Sequence, residues 1–174
     1  MNWAHRIADS AKQMSHAEID LIEYLAKTLP VDAVCVNIGT GPGTSVLALL
    51  ETRPDLVCFA VDNRAEKASD MFKTAGVYER VVELVGDSQT LKWEFGKIDW
   101  LCIDGDHYYQ GVSADIANWT PHAQGLVLFH DYNDTMSAAC WREVKKAVDE
   151  WSKERQPIAL ADSLIVFSVR RNDP

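Results

Sequence analysis

The stretch from Val34 to Asp62 constrains the fold most, because an apolar strand, a glycine turn, a helical run and a second apolar strand follow one another there. Apolar runs of this length, flanked by glycine and joined by a helix, predict two parallel strands with a crossover. Glycine permits the positive φ angles of a tight turn, and the free amides of the following helix point back at the same edge. The stretch therefore predicts a β-α-β unit that holds a nucleoside, with Asp62 accepting hydrogen bonds from a ribose diol.

The spacing of the glycines separates two cofactor classes. A dinucleotide-binding turn follows Gly-x-Gly-x-x-Gly, and its third glycine lets the helix pack closely on the strand. Here Gly39, Gly41 and Gly43 follow Gly-x-Gly-x-Gly, and Thr44 stands where that third glycine would be. This disfavours a nicotinamide-dependent oxidoreductase, which stays as an alternative.

The same turn resembles the first motif of class I S-adenosylmethionine-dependent methyltransferases. In that family an acidic residue two places before the first glycine contacts the methionine end of the cofactor. Asn37 holds this place here and offers an amide oxygen but no charge. The resemblance implies S-adenosylmethionine as the cofactor. It implies contacts around the first two strands from Asn37, Gly39, Thr40, Gly41, Gly43, Asp62 and Asn63.

Strand candidates alternate with helical segments along most of the chain. Five of them are 32–38, 56–62, 80–86, 98–104 and 125–131. Helical segments between strands predict right-handed crossovers and a parallel sheet covered on both faces. After a helix over 139–153, the segments 157–161 and 163–170 are joined so tightly that they predict an antiparallel hairpin. The prediction is a Rossmann-like, doubly wound α/β fold with a mostly parallel seven-stranded sheet, a further similarity to class I methyltransferases.

The first thirty residues predict two helices. Residues 2–12 place apolar side chains on one stripe and predict a lid or covering element. Ser15 and Glu18 have the spacing of a capping box, which opens a second helix that Pro30 ends. The residues predicted to face inward are Trp3, Ile7 and Ala11 in the first helix and Ile19, Ile22, Ala26 and Leu29 in the second.

Length and composition limit the classes of protein. The 174 residues suit a single domain over 1–174, and the net charge of -9 disfavours nucleic acid as a partner because such binding depends on Lys and Arg. No apolar run is long enough for a membrane span and the first residues do not resemble a signal peptide, which predicts a cytoplasmic protein. The cysteines are predicted to be small buried apolar residues of a reducing compartment, namely Cys35, Cys58, Cys102 and Cys140.

Polar residues follow each of the five predicted parallel strands. The carboxyl ends of such strands meet at one edge of the sheet, where ligands bind near the switch point of the strand order. These residue types also favour ordinary turns, but the opposite ends of the strands show no comparable concentration. The five sites are 37–43, 62–63, 86–88, 104–107 and 130–133.

The third of these sites has two interpretations. In the class I fold, Asp87 would accept a hydrogen bond from the adenine amine, while Ser88 or its amide reaches a ring nitrogen. Gly86-Asp87-Ser88 also resembles the nucleophile block of GDS-type esterases. That block needs leucine next and follows the first strand, whereas Gln89 follows here and the block comes after the third strand, so a hydrolase is disfavoured.

The fourth and fifth sites carry the most specific pattern. The fourth strand runs into Asp104-Gly105-Asp106-His107, and the fifth ends in His130-Asp131. Over about residues 15–170 the chain resembles small-molecule O-methyltransferases, a group that includes macrolide-sugar O-methyltransferases and cephalosporin-hydroxylase-like enzymes. The resemblance implies Asp104 and Asp131 as magnesium ligands, with Asp104 also beside the cofactor. It implies His107 as the base, and we keep His130 as the reserve.

Elementary chemistry agrees with these roles in part. Methyl transfer to oxygen needs an acceptor hydroxyl that is held in line and loses its proton. Two carboxylates with open water positions suit magnesium, and an imidazole takes a proton at neutral pH. Because two carboxylates are few ligands, the shell is expected to be completed from Asp106, His130, Asn133 or Asp134.

The predicted function is O-methylation of a hydroxylated small molecule, such as a sugar or secondary metabolite. The alternative to an enzyme is a non-catalytic S-adenosylmethionine-binding module, which Asn37 and the lone Asp131 favour. A homo-oligomer would supply any missing wall of the acceptor pocket. Candidates to line that pocket are Tyr108, Tyr109, Tyr132 and Trp141, whereas His5, His16 and His122 are predicted to be solvated surface residues.

Overall fold

The computed structural model describes residues 2–11, 13–64, 66–133 and 139–169. In these residues the helices are α1 (Trp3–Ala11), α2 (His16–Ala26), α3 (Thr44–Thr52), α4 (Glu66–Ala75), α5 (Tyr109–Trp119) and α6 (Ala139–Trp151). The strands are β1 (Val34–Ile38), β2 (Val57–Asp62), β3 (Val81–Val85), β4 (Ile98–Ile103), β5 (Ala123–Phe129), β6 (Pro157–Ala161) and β7 (Leu164–Ser168). Short 3-10 turns lie at Tyr78–Arg80 and Thr120–His122.

The seven strands form one sheet in the order β3-β2-β1-β4-β5-β7-β6. Strands β1 to β5 run parallel, whereas β7 pairs antiparallel with both β5 and β6. This confirms the predicted doubly wound sheet that ends in an antiparallel hairpin. The strand order reverses between β1 and β4, so the carboxyl ends of these two neighbouring strands define the switch point.

Most strand ends differ from prediction by one or two residues, and backbone conformation explains two of the differences. Asp32 has a φ of 60°, so β1 cannot include it and begins at Val34. Asp131 has a φ of 58°, and β5 ends at Phe129, two residues earlier than predicted. A left-handed φ is incompatible with a strand. The predicted site residues His130 and Asp131 therefore belong to the loop, and Arg170 lies outside the described residues.

Two apolar layers cover the sheet. Helices α1 to α4 pack on one face, and α5 and α6 pack on the other. Burial raises the pKa of Cys35 and of Cys102 to about 12, so both thiols behave as small apolar residues. Residues predicted to face inward that are buried are Ile7, Ile19, Ile22, Ala26, Leu29, Cys35, Cys58 and Cys102. The side chains of Ala11, Cys140 and Trp141 lie outside the described part.

Two carboxylates organise the amino-terminal helices. The predicted capping box is present, since the Ser15 hydroxyl accepts from the Glu18 amide and Glu18 accepts from the Ser15 amide. Glu51 of α3 accepts from the amides of Trp3 and Ala4 at 2.9–3.1 Å. An acid there satisfies free amides at the start of α1 and so docks α1 on α3. None of the described helices has the length and apolarity needed to cross a membrane.

Candidate active site

A crevice of about 1450 Å³ opens at the carboxyl edge of the sheet. Small-molecule pockets usually measure about 300–1,000 Å³, so this crevice has room for two ligands. The predicted site residues that line it are Gly39, Thr40, Gly41, Asp62, Asn63, Asp87, Ser88, Asp104, His107, His130 and Asp131. Asn37 and Gly43 were also predicted to bind the cofactor, but they are not among the lining residues.

The glycine turn between β1 and α3 is fixed from two sides. Gly39 has a φ of 76°, and a Cβ atom there would lie 1.9 Å from the carbonyl oxygen of Asp104, so the turn lies directly on the end of β4. Asp62 accepts through Oδ2 from the amides of Thr40 at 2.9 Å and Gly41 at 3.1 Å. Thr44 also lines the crevice, and its hydroxyl is buried and has no partner among the described residues. An orphaned buried hydroxyl and a tight glycine cradle fit a polar ligand such as the predicted nucleoside.

Asn37 and Gly43 support the turn from behind. The Asn37 side chain donates to the Gly39 carbonyl at 3.1 Å and accepts from the Ser45 hydroxyl at 2.8 Å. Both halves of the amide therefore contact the turn and the first turn of α3, and the predicted contact with the methionine end of the cofactor stays a prediction. Gly43 has a φ of 93°, and a Cβ atom there would lie 2.6 Å from the Phe72 ring, so this glycine serves packing.

The predicted adenine site contains a buried acid that sequence reasoning missed. Ser88 donates its hydroxyl to Asp115 at 2.6 Å, so that hydroxyl is not free to donate to an adenine nitrogen. Burial raises the pKa of Asp115 to about 6 even though Ser88 works against the shift. The sequence did carry a signal, because Asp115 lies on the apolar stripe formed by Val112, Ile116 and Trp119. Asp87 is exposed and accepts from the Gln89 amide at 3.0 Å.

Two histidines and two carboxylates meet at the ends of β4 and β5. Nε2 of His107 lies 2.7 Å from Asp131 and 3.7 Å from Asp104. Nδ1 of His130 lies 3.3 Å from Asp104 and 3.6 Å from Asp131. Each imidazole therefore contacts both carboxylates. The left-handed backbone of Asp131 aims its side chain back into this cluster, which is the kind of strain that functional sites retain.

The charges of this cluster hold protons on the imidazoles. Hydrogen bonds to Asp104 and Asp131 raise the pKa of His107 to about 10 against the effect of burial. Burial acts to lower the pKa of His130, but the charge of Asp104 and hydrogen bonds to neighbouring carboxylates raise it well above its usual value. Burial acts to raise the pKa values of Asp104 and Asp131, and their contacts with both histidines outweigh it and lower them. We therefore expect both rings to be protonated at neutral pH.

Glu18 is a member of the site that the sequence did not reveal. Its carboxylate lies 3.3 Å from Nε2 of His130 and accepts from the amide and the hydroxyl of Ser163 at 2.9 and 2.7 Å. Its side chain is 3% exposed. Burial acts to raise the pKa of Glu18, but the hydrogen bonds from His130, Ser15 and Ser163 lower it to about 2. A capping-box acid is usually exposed, so the local pattern carried no signal for this partnership across the chain.

Replacement of Glu18 by glutamine is expected to lower the free energy of unfolding by about 3 kcal/mol at pH 7, because it leaves the buried His130 charge with one partner fewer. The folded pKa of Glu18, about 2, is below its usual 4.5. Its stabilisation is therefore complete above pH 4.5 and is lost as the pH falls through about 2. Urea unfolding of both chains between pH 7 and pH 3 measures this, and the gap between them should narrow at low pH. The exposed control Glu79→Gln should change little, and a Glu18→Gln chain as stable as this control would contradict the prediction.

Some of the remaining predicted metal ligands and pocket aromatics line the crevice, and others do not. Asn133 lines the crevice, and Asp106 accepts from the Tyr108 amide at 2.9 Å. Asp134 lies outside the described residues. Tyr108 lines the crevice as predicted, whereas the hydroxyls of Tyr109 and Tyr132 donate to Glu150 and Asp149 of α6.

Comparison with known proteins identifies the family. The model of a family described as a methyltransferase domain matches residues 36–132, from β1 through the loop after β5. The chain belongs to this methyltransferase family. The predicted class of enzyme is therefore confirmed, and the glycine turn, Asp62 and the cluster at the ends of β4 and β5 all lie within the matched region.

Solved structures share the fold of this methyltransferase at low sequence identity. A Staphylococcus aureus protein assigned as a caffeoyl-CoA O-methyltransferase superposes with a TM-score of 0.78 at 15% identity, covering 97% of this chain and 91% of that one. The O-methyltransferase NovP gives 0.70 at 17% identity, covering 89% and 80%. The cofactor-bound Rv0187 from MTB gives 0.70 at 18% identity, covering 98% and 89%. These matches confirm the predicted class I methyltransferase fold.

One curated relative is similar over a shorter region. The y4gI protein of Sinorhizobium fredii is 32% identical over 115 residues, which cover 55% of this methyltransferase and 13% of that protein. The chain thus spans a small part of the length of this relative.

Proposed function

We propose that this methyltransferase transfers a methyl group to a hydroxyl of a small molecule, with His107 as the base. The observation that carries the proposal is the convergence of Asp104, His107 and Asp131 in the crevice that the glycine turn also lines. When bound, S-adenosylmethionine supplies a methyl group that is already activated, so the chain needs no nucleophile of its own. Its residues have to bind and orient two ligands and accept one proton.

The proton would be accepted at Nδ1 of His107. When the ring is neutral, Nε2–H donates to Asp131 at 2.7 Å, which fixes the tautomer and leaves the lone pair on Nδ1. The side chain is 37% exposed, so an acceptor can approach it. His130 is 4% exposed and enclosed by Glu18, Asp104 and Asp131. We therefore assign His130 to neutralising and positioning the two carboxylates rather than to the predicted reserve role of base.

The donor would be held by the residues around β1, β2 and β3. Oδ2 of Asp62 accepts from two backbone amides, whereas Oδ1 accepts from one, the Arg64 amide, and keeps a lone pair that can accept from a ribose hydroxyl. The exposed carboxylate of Asp87 can accept from the adenine amine. Because Asp115 occupies the Ser88 hydroxyl, the backbone amide of Ser88 is the donor left for a ring nitrogen.

The charge of the crevice selects the acceptor class. Eight acidic side chains line it and outnumber the protonated His107 and His130, and no Lys or Arg of the described chain does so. A phosphorylated or otherwise anionic acceptor would be repelled there. The proposed acceptor is therefore a neutral or cationic hydroxylated molecule. Acidic residues that line the crevice are Asp9, Glu18, Asp62, Asp87, Asp104, Asp106, Asp131 and Asp162.

A divalent cation is compatible with the same cluster. Asp104, His107 and Asp131 each offer one ligand atom, and these atoms lie within 4.8 Å of one another. Two carboxylate oxygens fit magnesium, and the additional imidazole nitrogen fits a transition ion. The residues that would hold a cation are Asp104 and Asp131, where it would favour the ionised acceptor hydroxyl. Nε2 of His107 faces both carboxylates, so this nitrogen either binds the cation or keeps its proton.

Asp62→Asn is expected to weaken binding of S-adenosylhomocysteine by about 10- to 100-fold, because hydrogen bonds to a charged group contribute about 1.5–3 kcal/mol. Calorimetric titration measures this, and thermal unfolding without ligand shows whether the turn survives. Asp70→Asn is the matched control, since its side chain is 91% exposed on α4. Equal affinity in the two variants would contradict the assignment of Asp62 to the ribose.

Formation of S-adenosylhomocysteine tests the function itself. Purified chain is incubated with S-adenosylmethionine and panels of neutral, cationic and anionic hydroxylated acceptors, with and without Mg²⁺. Turnover is expected with neutral or cationic acceptors. Tight binding of S-adenosylhomocysteine without turnover in any panel would contradict the proposal and favour the non-catalytic binding module.

A further inference from the structure

We propose that helices α1 and α2 hold a divalent transition-metal ion of the Zn²⁺ type between His5, Asp20 and Glu23. This site is separate from the crevice cluster and does not depend on methyl transfer. Asp20 and Glu23 are three residues apart and so lie on one face of α2. His5 reaches that face from α1. The three ligand atoms lie within 4.8 Å of one another.

The distances favour a metal ion over direct hydrogen bonds. Nε2 of His5 lies 3.4 Å from Oδ1 of Asp20 and 3.6 Å from Oε1 of Glu23. Both separations exceed the range of about 2.7–3.2 Å for a good N–H···O bond. Ligands about 2.0–2.1 Å from a tetrahedral zinc ion are separated by about 3.3 Å. The two distances from His5 are therefore close to the edges of a zinc tetrahedron, and all three ligand atoms lie within 4.8 Å of one another.

A chain of hydrogen bonds sets the tautomer of His5. Nδ1 of His5 lies 2.5 Å from Nδ1 of His16, and Nε2 of His16 lies 2.9 Å from Asp9. We assign His16 as the donor to Asp9 through Nε2–H, which makes its Nδ1 the acceptor from His5. With both rings uncharged, the lone pair of His5 then lies on Nε2 and faces two carboxylates. A bound cation would stabilise such a convergence of three electron pairs, as would a proton on Nε2 in the absence of metal.

The surroundings match what metal-binding residues require. A ligating histidine usually donates its other N–H to a fixed partner, which is His16 in the tautomers assigned above, and ligating carboxylates are themselves hydrogen-bonded. Glu23 accepts from the Asn2 side chain at 2.7 Å. The side chains of His5 and Glu23 are 23% and 22% exposed, whereas Asp20, at 71%, forms the open side. Asp9 and His16 also line the crevice, so a bound ion would fix one of its walls.

The test is competition for Zn²⁺ against a chromophoric chelator, using the full chain. Asp131→Asn is the background, because it disables the crevice cluster as an alternative site. In that background one Zn²⁺ is expected to bind, and His5→Asn or Glu23→Gln to weaken the affinity by at least about 100-fold. His16→Asn removes only the fixed partner, so a loss of about 10- to 100-fold is expected. His122→Asn, a histidine outside both clusters, should leave the affinity unchanged.

Thermal unfolding gives a second readout in case a variant is poorly folded. Added Zn²⁺ should raise the unfolding temperature of the Asp131→Asn chain by mass action, and this rise should disappear with His5→Asn. The proposal is overturned if the Asp131→Asn chain binds no Zn²⁺. It is equally overturned if His5→Asn and Glu23→Gln bind Zn²⁺ as tightly as the His122→Asn control, since the three side chains would then be only a surface ion cluster.

Discussion

Replacement of His107 by asparagine is expected to slow methyl transfer by about 10²- to 10⁴-fold, the range that removal of a general base usually costs. Asparagine can still donate a hydrogen bond to Asp131 but cannot accept the proton of the acceptor hydroxyl. The affinity for S-adenosylhomocysteine should not change, because the glycine turn and Asp62 are untouched. Steady-state formation of S-adenosylhomocysteine measures the first effect and calorimetry the second. His122→Asn is the matched control, and equal activity of the two variants would exclude His107 as the base.

The pH profile supplies an independent signature of the same residue. The pKa of His107 is about 10, so a metal-free rate that depends on this base should rise with pH until about 10. His107→Asn should remove that rise. Stability should move in the opposite direction, because contacts of protonated His107 with both carboxylates stabilise the fold fully below pH 6.5 and are lost as the pH rises through its pKa of about 10. A cation bound by Asp104 and Asp131 would repel the protonated His107 ring and so lower its pKa. Saturating Mg²⁺ or Mn²⁺ should therefore move the rise in rate to lower pH.

Replacement of Gly39 by alanine is expected to have the largest effect on the fold of the site. The new Cβ would lie 1.9 Å from the carbonyl oxygen of Asp104. This oxygen belongs to the backbone, so a change of side-chain rotamer cannot relieve the collision. The turn and the end of β4 would have to separate, which would displace Asp104. We expect a loss of more than about 4 kcal/mol in the free energy of unfolding and no measurable binding of S-adenosylhomocysteine.

Gly76 is a matched control for this substitution. Its φ of 73° is nearly that of Gly39, but a Cβ atom there would meet nothing within 4 Å. Gly76→Ala should therefore cost only the backbone strain of about 1–2 kcal/mol. Gly41→Ala is a second variant in the same turn, for use if the Gly39 variant does not fold. Its Cβ would contact only the flexible Gln13 side chain, at 3.3 Å, so it should fold. Urea unfolding compares the three, and equal losses at Gly39 and Gly76 would contradict the close approach.

Local patterns were sufficient for the elements and their order. The alternation of apolar runs with helical segments predicted the parallel strands, and the tight connection near residue 162 predicted the hairpin that the structure contains. Ser15 and Glu18 predicted their capping box because both partners lie within one turn of the same helix. The family motif likewise predicted most of the lining of the crevice, because strand ends of a parallel sheet lie at one edge.

The partners of the side chains were decided by the tertiary structure. Asn37 turned its amide toward Gly39 and Ser45 because the strand packs it behind the turn, with 2% of its surface exposed. The Ser88 hydroxyl donates to Asp115 of α5, and no spacing along the chain predicts this hydrogen bond.

Periodicity and short-range spacing were enough to predict the sheet, the glycine turn and the acids and histidines at the strand ends. Long-range packing established which nitrogen of His107 faces the carboxylates and that Glu18 encloses His130. Glu18 and His130 are 112 residues apart in the chain. Their contact exists because α2 and the loop after β5 pack together, and the charge state of a buried group depends on such neighbours rather than on its own local sequence.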